Sequence, residues 1–194
     1  MEHTGVMAEE IDPCSVAHGA VPGAQAATAT SAASSPDAFL APDRTLIAVF
    51  AGPVAAFLLR YGTDAGYRTL LVEPDPGRAE GAKMLGFGVL ETMPDEFEGA
   101  DVVVTDHHRD ELGLVLRDAL ATKARWIGVM GNPRHPAPHI PALEALGVAP
   151  GDIARIHRPI GLNIGSRTPP EIAISTLAGL IADRNSRPGG FTYG

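Results

Sequence analysis

The chain has a single cysteine, Cys14, in 194 residues. That excludes a disulfide framework and any cysteine-built zinc site within one chain, and it fits a reducing compartment. Basic runs are also missing. With a formal net charge of -8, the sequence offers none of the clustered Lys and Arg that phosphate neutralisation along a nucleic acid needs. A small anion held by one or two arginines remains compatible. No run of about 18 apolar residues is present to cross a bilayer. The first residues, MEHTGVMAEEIDPCSV, place acids where a secretory signal needs positive charge and then an apolar core. The expectation is a cytoplasmic protein.

Large side chains are scarce in residues 1–44. The stretch HGAVPGAQAATATSAASSPDAFLAPD is built from Ala, Ser, Thr, Gly and Pro, so ordering it would cost more backbone entropy than its contacts return. Its acids Glu2, Glu9, Glu10, Asp12, Asp37 and Asp43 face one base, Arg44, and carry most of the net charge. Residues 1–44 are therefore expected to be a disordered tail and 45–190 the folded domain. Cys14 falls in the tail, where an unactivated thiol has no catalytic role.

What is present from Thr45 onward is alternation. TLIAVF, RTLLVE, ADVVVTD and RWIGVMG are short apolar runs rich in strand formers. VAAFLLRYGTDAG, GRAEGAKMLG, DELGLVLRDALAT, PHIPALEALG and PPEIAISTLAGLIADR between and after them have helical spacing. Strands apolar on both faces, each followed by a helix, imply right-handed crossovers. The expected fold is α/β, a doubly wound, mostly parallel, Rossmann-like sheet. No internal repeat is visible.

Ligands of such sheets sit beyond the carboxyl ends of the strands. The first loop there, FAGPVA, keeps only the central glycine of a G-x-G-x-x-G turn, Gly52, with Phe50 and Ala55 at the outer places. Glu73 follows Gly52 by 21 residues, the spacing of an acid that accepts from a ribose hydroxyl. A tight turn beside a solvated acid is the alternative. In TDHHRD, His107 and His108 suggest acid/base or metal chemistry. Neighbours on an extended segment point to opposite sides, however, which favours a polar strand end capped by Asp106. In GNPRHPAPH, the prolines oppose a helix that would pair His135 with His139 on a metal, and Arg134 is the better anion holder. EPDPGR adds Arg78, in a turn that can equally be merely solvated.

The stretch HRPIGLNIGSRTPPEIA is the most distinctive. Thr168, Pro169, Pro170 and Glu171 form a capping box with proline in the first turn. Gly161, Gly165, Ser166 and Arg167 precede that helix start. Orphan amides, a helix dipole and a guanidinium together suggest an anion cradle, beyond what a bare cap requires. Ile172, Ile174, Leu177, Leu180 and Ile181 form the expected buried stripe behind it.

The segments DVVVTDHHRDE, WIGVMGNPRHPAPHIPALEALGV and DIARIHRPIGLNIGSRTPPEIAISTLAGLIADR resemble the C-terminal Rossmann-type domain of the XdhC and CoxI family over residues 45–187. That resemblance implies an accessory factor for molybdenum hydroxylases such as xanthine dehydrogenase. Such a factor binds the molybdenum cofactor (molybdopterin), assists or protects it during sulfuration and passes it to the apo-enzyme. The implied partners are the apo molybdenum hydroxylase and a cysteine desulfurase, and a homodimer is compatible. The implied cofactor-binding residues are Gly52, Glu73, His107, Arg134, His157, Gly161, Gly165, Ser166, Arg167 and Thr168, with His108 as a further donor. No resident metal is expected, and catalytic residues are not assigned. Departures from the family are Phe50 in place of a glycine, Asn132-Pro133-Arg134 in place of Ser-Arg-Arg, and no counterpart of the family's additional N-terminal domain within residues 1–44. Two other classes stay open: an oxidoreductase using NAD(P) in the same crevice, and a regulatory module that only contacts the dehydrogenase.

Overall fold

The computed structural model describes residues 44–190 except 96, 97 and 133. Cys14 and the tail expectation lie outside these residues. β1 (Thr45–Val49), β2 (Arg68–Val72), β4 (Asp101–Val104) and β5 (Trp126–Val129) are the four strands expected. β3 (Val89–Leu90) and β6 (Ile156–His157) are two-residue strands that extend the sheet at either edge. The order is β3-β2-β1-β4-β5-β6 and each pairing is parallel, with Ile47 opposite Leu70 and Val102, and Val102 opposite Ile127. The chain runs outward from β1 to β3, then returns to lay β4 on the other side of β1. A crevice therefore opens at the carboxyl ends between β1 and β4.

Alternation along the strands feeds two apolar layers. Ile47, Val49, Val102, Val104 and Ile127 pack on Leu112, Leu116 and Leu120 of α3 (Leu112–Ala121), with Leu143 of α4 (His139–Glu144) and Ile153 of α5 (Pro150–Ile153). On the opposite face, Leu46 and Val103 pack on Leu58 of α1 (Pro53–Asp64) and on Ala173, Leu177 and Leu180 of α6 (Pro169–Arg184). Ala48 and Leu71 meet Ala55 and Leu59 of α1 and Ala82 of α2 (Pro76–Met84). Full burial of each such Leu or Val contributes about 1.5–3 kcal/mol, which is why this pattern fixes the fold. Among the described residues no helix is long and apolar enough to cross a membrane.

The stripe expected on α6 is partly displaced. Ile174 is half exposed, whereas Ala173, Ser175 and Thr176 are buried. Residues 160–162 cover this side of the helix, and their backbone approaches closely only where the helix presents small residues. Leu162 N–H donates to Ser175 O at 3.0 Å, and Ser175 Oγ donates to Leu162 O at 2.6 Å.

The amino end of the sheet is closed by charge. Asp101 is fully buried and accepts from Arg125 Nε at 2.7 Å and Arg184 Nη2 at 3.0 Å, tying the end of α6 to β4.

Gly128 of β5 lies under Trp126 and Ile160, and a Cβ there would stand 2.2 Å from the indole and 2.7 Å from Ile160. Gly128→Ala should lower the unfolding free energy by about 1–3 kcal/mol, the usual cost of overpacking, measured by urea denaturation.

Candidate functional site

The turn after β1 is built from side chains where a dinucleotide fold uses glycine. Phe50 is buried and has a left-handed backbone (φ 71), an uncommon state for a bulky residue. Neighbours over-determine it. Phe50 N–H donates to Val72 O, Thr105 Oγ lies 2.9 Å from both Val49 O and Phe50 O, and the Arg109 guanidinium sits 4.7 Å from the ring centre. Gly52 is exposed, extended (φ 178) and free of neighbours, so no steric demand of the protein itself requires glycine there.

Glu73 is beside this turn, as its spacing suggested, but its carboxylate is fully buried and fully bonded. Oε2 accepts from Ala51 N–H at 2.7 Å and Arg109 Nη1 at 3.4 Å. Oε1 accepts from Asp75 N–H at 2.9 Å and Arg109 Nη2 at 3.1 Å. Four donors saturate the four lone-pair sites of a carboxylate, which leaves none for a ribose hydroxyl. Arg109 is also clamped by Glu111, at 3.0 Å. The sequence reading missed Arg109; its only signal was a base in the polar run after β4.

At the ends of β4 and β5 the structure gathers imidazoles. Asp106 Oδ1 accepts from His108 N–H at 2.9 Å, the expected turn cap. The bend this makes stacks the His107 and His108 rings 4.0 Å apart, tilted by 39°. The expectation that they point to opposite sides fails because the segment is bent, not extended. Burial, then the nearby His108, Arg158 and His135 charges, hold His107 below its ordinary pKa against the opposing pull of Asp106. Arg134 is exposed, and its N–H donates to Asn132 Oδ1 in a tight Asx-type turn. Arg158, also missed from sequence, reaches over from the end of β6. Its Nη2 and Nη1 donate to Asn132 O at 3.1 Å and His135 O at 3.3 Å. Its guanidinium fills the space where a Gly131 Cβ would come within 2.6 Å of Nε, which explains that glycine. Among the described residues no group of three or more His, Cys, Asp or Glu is placed to hold a metal ion.

The start of α6 has the expected capping box, but this corrects the anion-cradle reading. Glu171 Oε2 accepts from Arg167 N–H at 2.8 Å and Thr168 N–H at 3.0 Å. Pro169 and Pro170 have no N–H, and the Glu171 N–H turns to the Thr168 side chain. The protein's own carboxylate thus occupies the amides an incoming anion would need. Ser166 and the exposed Arg167 remain beside that start, without a free amide cradle. The glycines have backbone reasons: Gly161 (φ 87) lies where a Cβ would meet Ser175 Oγ at 2.6 Å, and Gly165 (φ 70) makes an open left-handed turn. His157 and Gly161 line a separate hollow on the α6 flank, with His157 stacked on Trp126 at 5.0 Å and 6°. Of the residues proposed from sequence, Gly52, Glu73, His107 and Arg134 follow β1, β2, β4 and β5, whereas His157, the last residue of β6, and Gly161 in the segment after it line the hollow on the α6 flank.

A groove of about 410 Å³ runs between α1 and α2 beside Gly52, with Leu59, Leu71 and Phe87 on its walls and Arg78 on its border. Asp75 accepts from Arg78 N–H at 2.8 Å and caps α2. The solvated-turn reading of this loop therefore misses both a helix cap and a groove wall.

A family model described as the XdhC Rossmann domain matches residues 46–180. The uncharacterized protein YqeB of Escherichia coli K12 is 36% identical over 101 residues, which are 52% of this chain and 18% of that protein. A crystal structure described as a xanthine dehydrogenase from Bacillus halodurans is similar in fold, with a TM-score of 0.57 and 24% identity over 74% of this chain and 44% of that one. The chain thus spans under half the length of either relative.

Two outcomes follow from this geometry. Arg109→Leu leaves the Glu73 charge buried with only two amide donors, and should cost about 3–5 kcal/mol in a denaturation experiment. The Arg167 and Thr168 amides hold Glu171 below the usual glutamate range. Its contribution is therefore present above the unfolded pKa and lost as pH falls through the lower folded value. Melting scans of the parent and Glu171→Gln should differ most above about pH 5 and converge on acidification.

Proposed function

Because the chain belongs to the XdhC Rossmann domain family, we propose that it is the cofactor-handling Rossmann module of a molybdenum hydroxylase accessory system. It binds molybdopterin and presents it to the apo-enzyme; its work is binding and transfer. The observation that carries this reading is the family match over the whole described sheet, switch point included. Support comes from the strand-end rim, where the exposed Arg134 and the His107–His108 pair sit near Arg158. A phosphate-bearing heterocycle needs a guanidinium for its anion and a hydrogen-bonding ring for its polar edge; Arg134 offers the first and His107, held below its ordinary pKa, the second. The α6 start does not fit the group, since its amides are already bonded. When bound, the cofactor supplies oxo-transfer chemistry to the client enzyme. This chain's residues orient the pterin and hold its phosphate.

A nicotinamide reading draws only on the strand order. Phe50 replaces the turn glycine and Glu73 has no lone pair left for a ribose. NADH fluorescence titration should show no saturable binding.

The deciding experiment is purification from molybdenum-replete cells, with assay of bound pterin and metal. The parent should carry pterin, and Arg134→Ala should bind it more weakly by about 1.5–3 kcal/mol, the range for a charged hydrogen bond. The melting temperature should be unchanged because Arg134 is exposed. Absence of pterin from the parent, or equal pterin on Arg134→Ala, would refute the assignment.

A further inference from the structure

On the α4/α5 face, beside the edge strand β6, lies a hollow of about 390 Å³. Ile140, Ile153 and Ile156 wall it, and His139, Glu144 and Arg158 also line it. Two polar atoms of that lining are orphans. His139 is only 4% exposed and its Nδ1 has no partner among the described residues, nor has the buried Nε of Arg158. A buried polar group without a partner is costly; the Arg158 Nε packs against Gly131, so it is the His139 ring that marks this hollow as a place where a ligand supplies what the chain does not.

The geometry points to a binding site in this hollow for a small monocarboxylic acid with an apolar body. The two described bonds of Arg158 use one hydrogen on each terminal nitrogen, to Asn132 O and His135 O. Other donors of the fork remain for a carboxylate. Burial and the Arg158 charge keep His139 below its ordinary pKa, so at neutral pH it meets the ligand as a neutral hydrogen-bonding ring. The isoleucines receive the apolar part. Glu144, exposed on the same hollow, disfavours a second negative charge, which selects monoanions over phosphates or dicarboxylates. The volume lies within the usual range for small-ligand pockets. This site shares Arg158 with the strand-end rim but includes neither Arg134 nor the His107–His108 pair, so benzoate binding here is read independently of pterin binding.

Benzoate is a suitable probe and benzamide its neutral control, added to the full chain while the His139 imidazole resonances are followed by NMR. Benzoate should shift them saturably, with benzamide at least about tenfold weaker. Ala154→Trp fills the hollow while leaving His139 and Arg158 unsubstituted, and should abolish the shift. His139→Gln, with an unchanged melting midpoint, should weaken benzoate binding by at least about tenfold, read by calorimetry. No saturable shift up to about 10 mM benzoate, equal affinity for benzamide, or undiminished binding to Ala154→Trp would each overturn the site.

Discussion

One buried carboxylate organises the ligand end of this sheet. Glu73 takes hydrogen bonds from the β1 turn through Ala51, from the α2 approach through Asp75 and from the β4 loop through Arg109. A charge in that position is tolerable only while all its donors are present, so three loops from different parts of the chain are held in one arrangement. The left-handed Phe50 depends on the same set, since Arg109 covers its ring and Thr105 holds its carbonyl. The switch point is therefore rigid where many dinucleotide folds rely on glycine.

Internal donors are likewise used up at the α6 start. Glu171 satisfies the amides of Arg167 and Thr168, and two prolines remove two more. Further along the sheet edge Arg134 is exposed in its turn and the His107 and His108 rings lie 4.0 Å apart. At the opposite end Asp101 clamps Arg125 and Arg184. Charge thus ties the helix end to β4 at one end of the sheet, while the other end carries exposed polar side chains.

The sheet itself was legible because continuous apolar runs such as TLIAV and DVVV admit little but a strand buried on both faces. The two-residue strands β3 and β6 and the one-turn α5 were not, because so few residues carry no period. The capping box was legible as a local motif. Its consequence for anion binding was misjudged, since the spacing that makes Glu171 a good cap is the spacing that lets it take the amides. Ile174 was assigned inward from polarity alone, and only the close passage of residues 160–162 explains why smaller neighbours face in.

By itself the sequence determined the local facts: strand against helix, the helix starts, the missing glycines and the likeness to one family. These depend on contacts within a few residues or on a pattern repeated along the chain. Which partners the charged groups take was decided by tertiary structure alone. Glu73 finds Arg109 across 36 positions, and Arg158 finds the carbonyls of Asn132 and His135 across more than 20. Such pairings leave no periodic trace, because the sheet order sets them by bringing strand ends together that are distant in the chain.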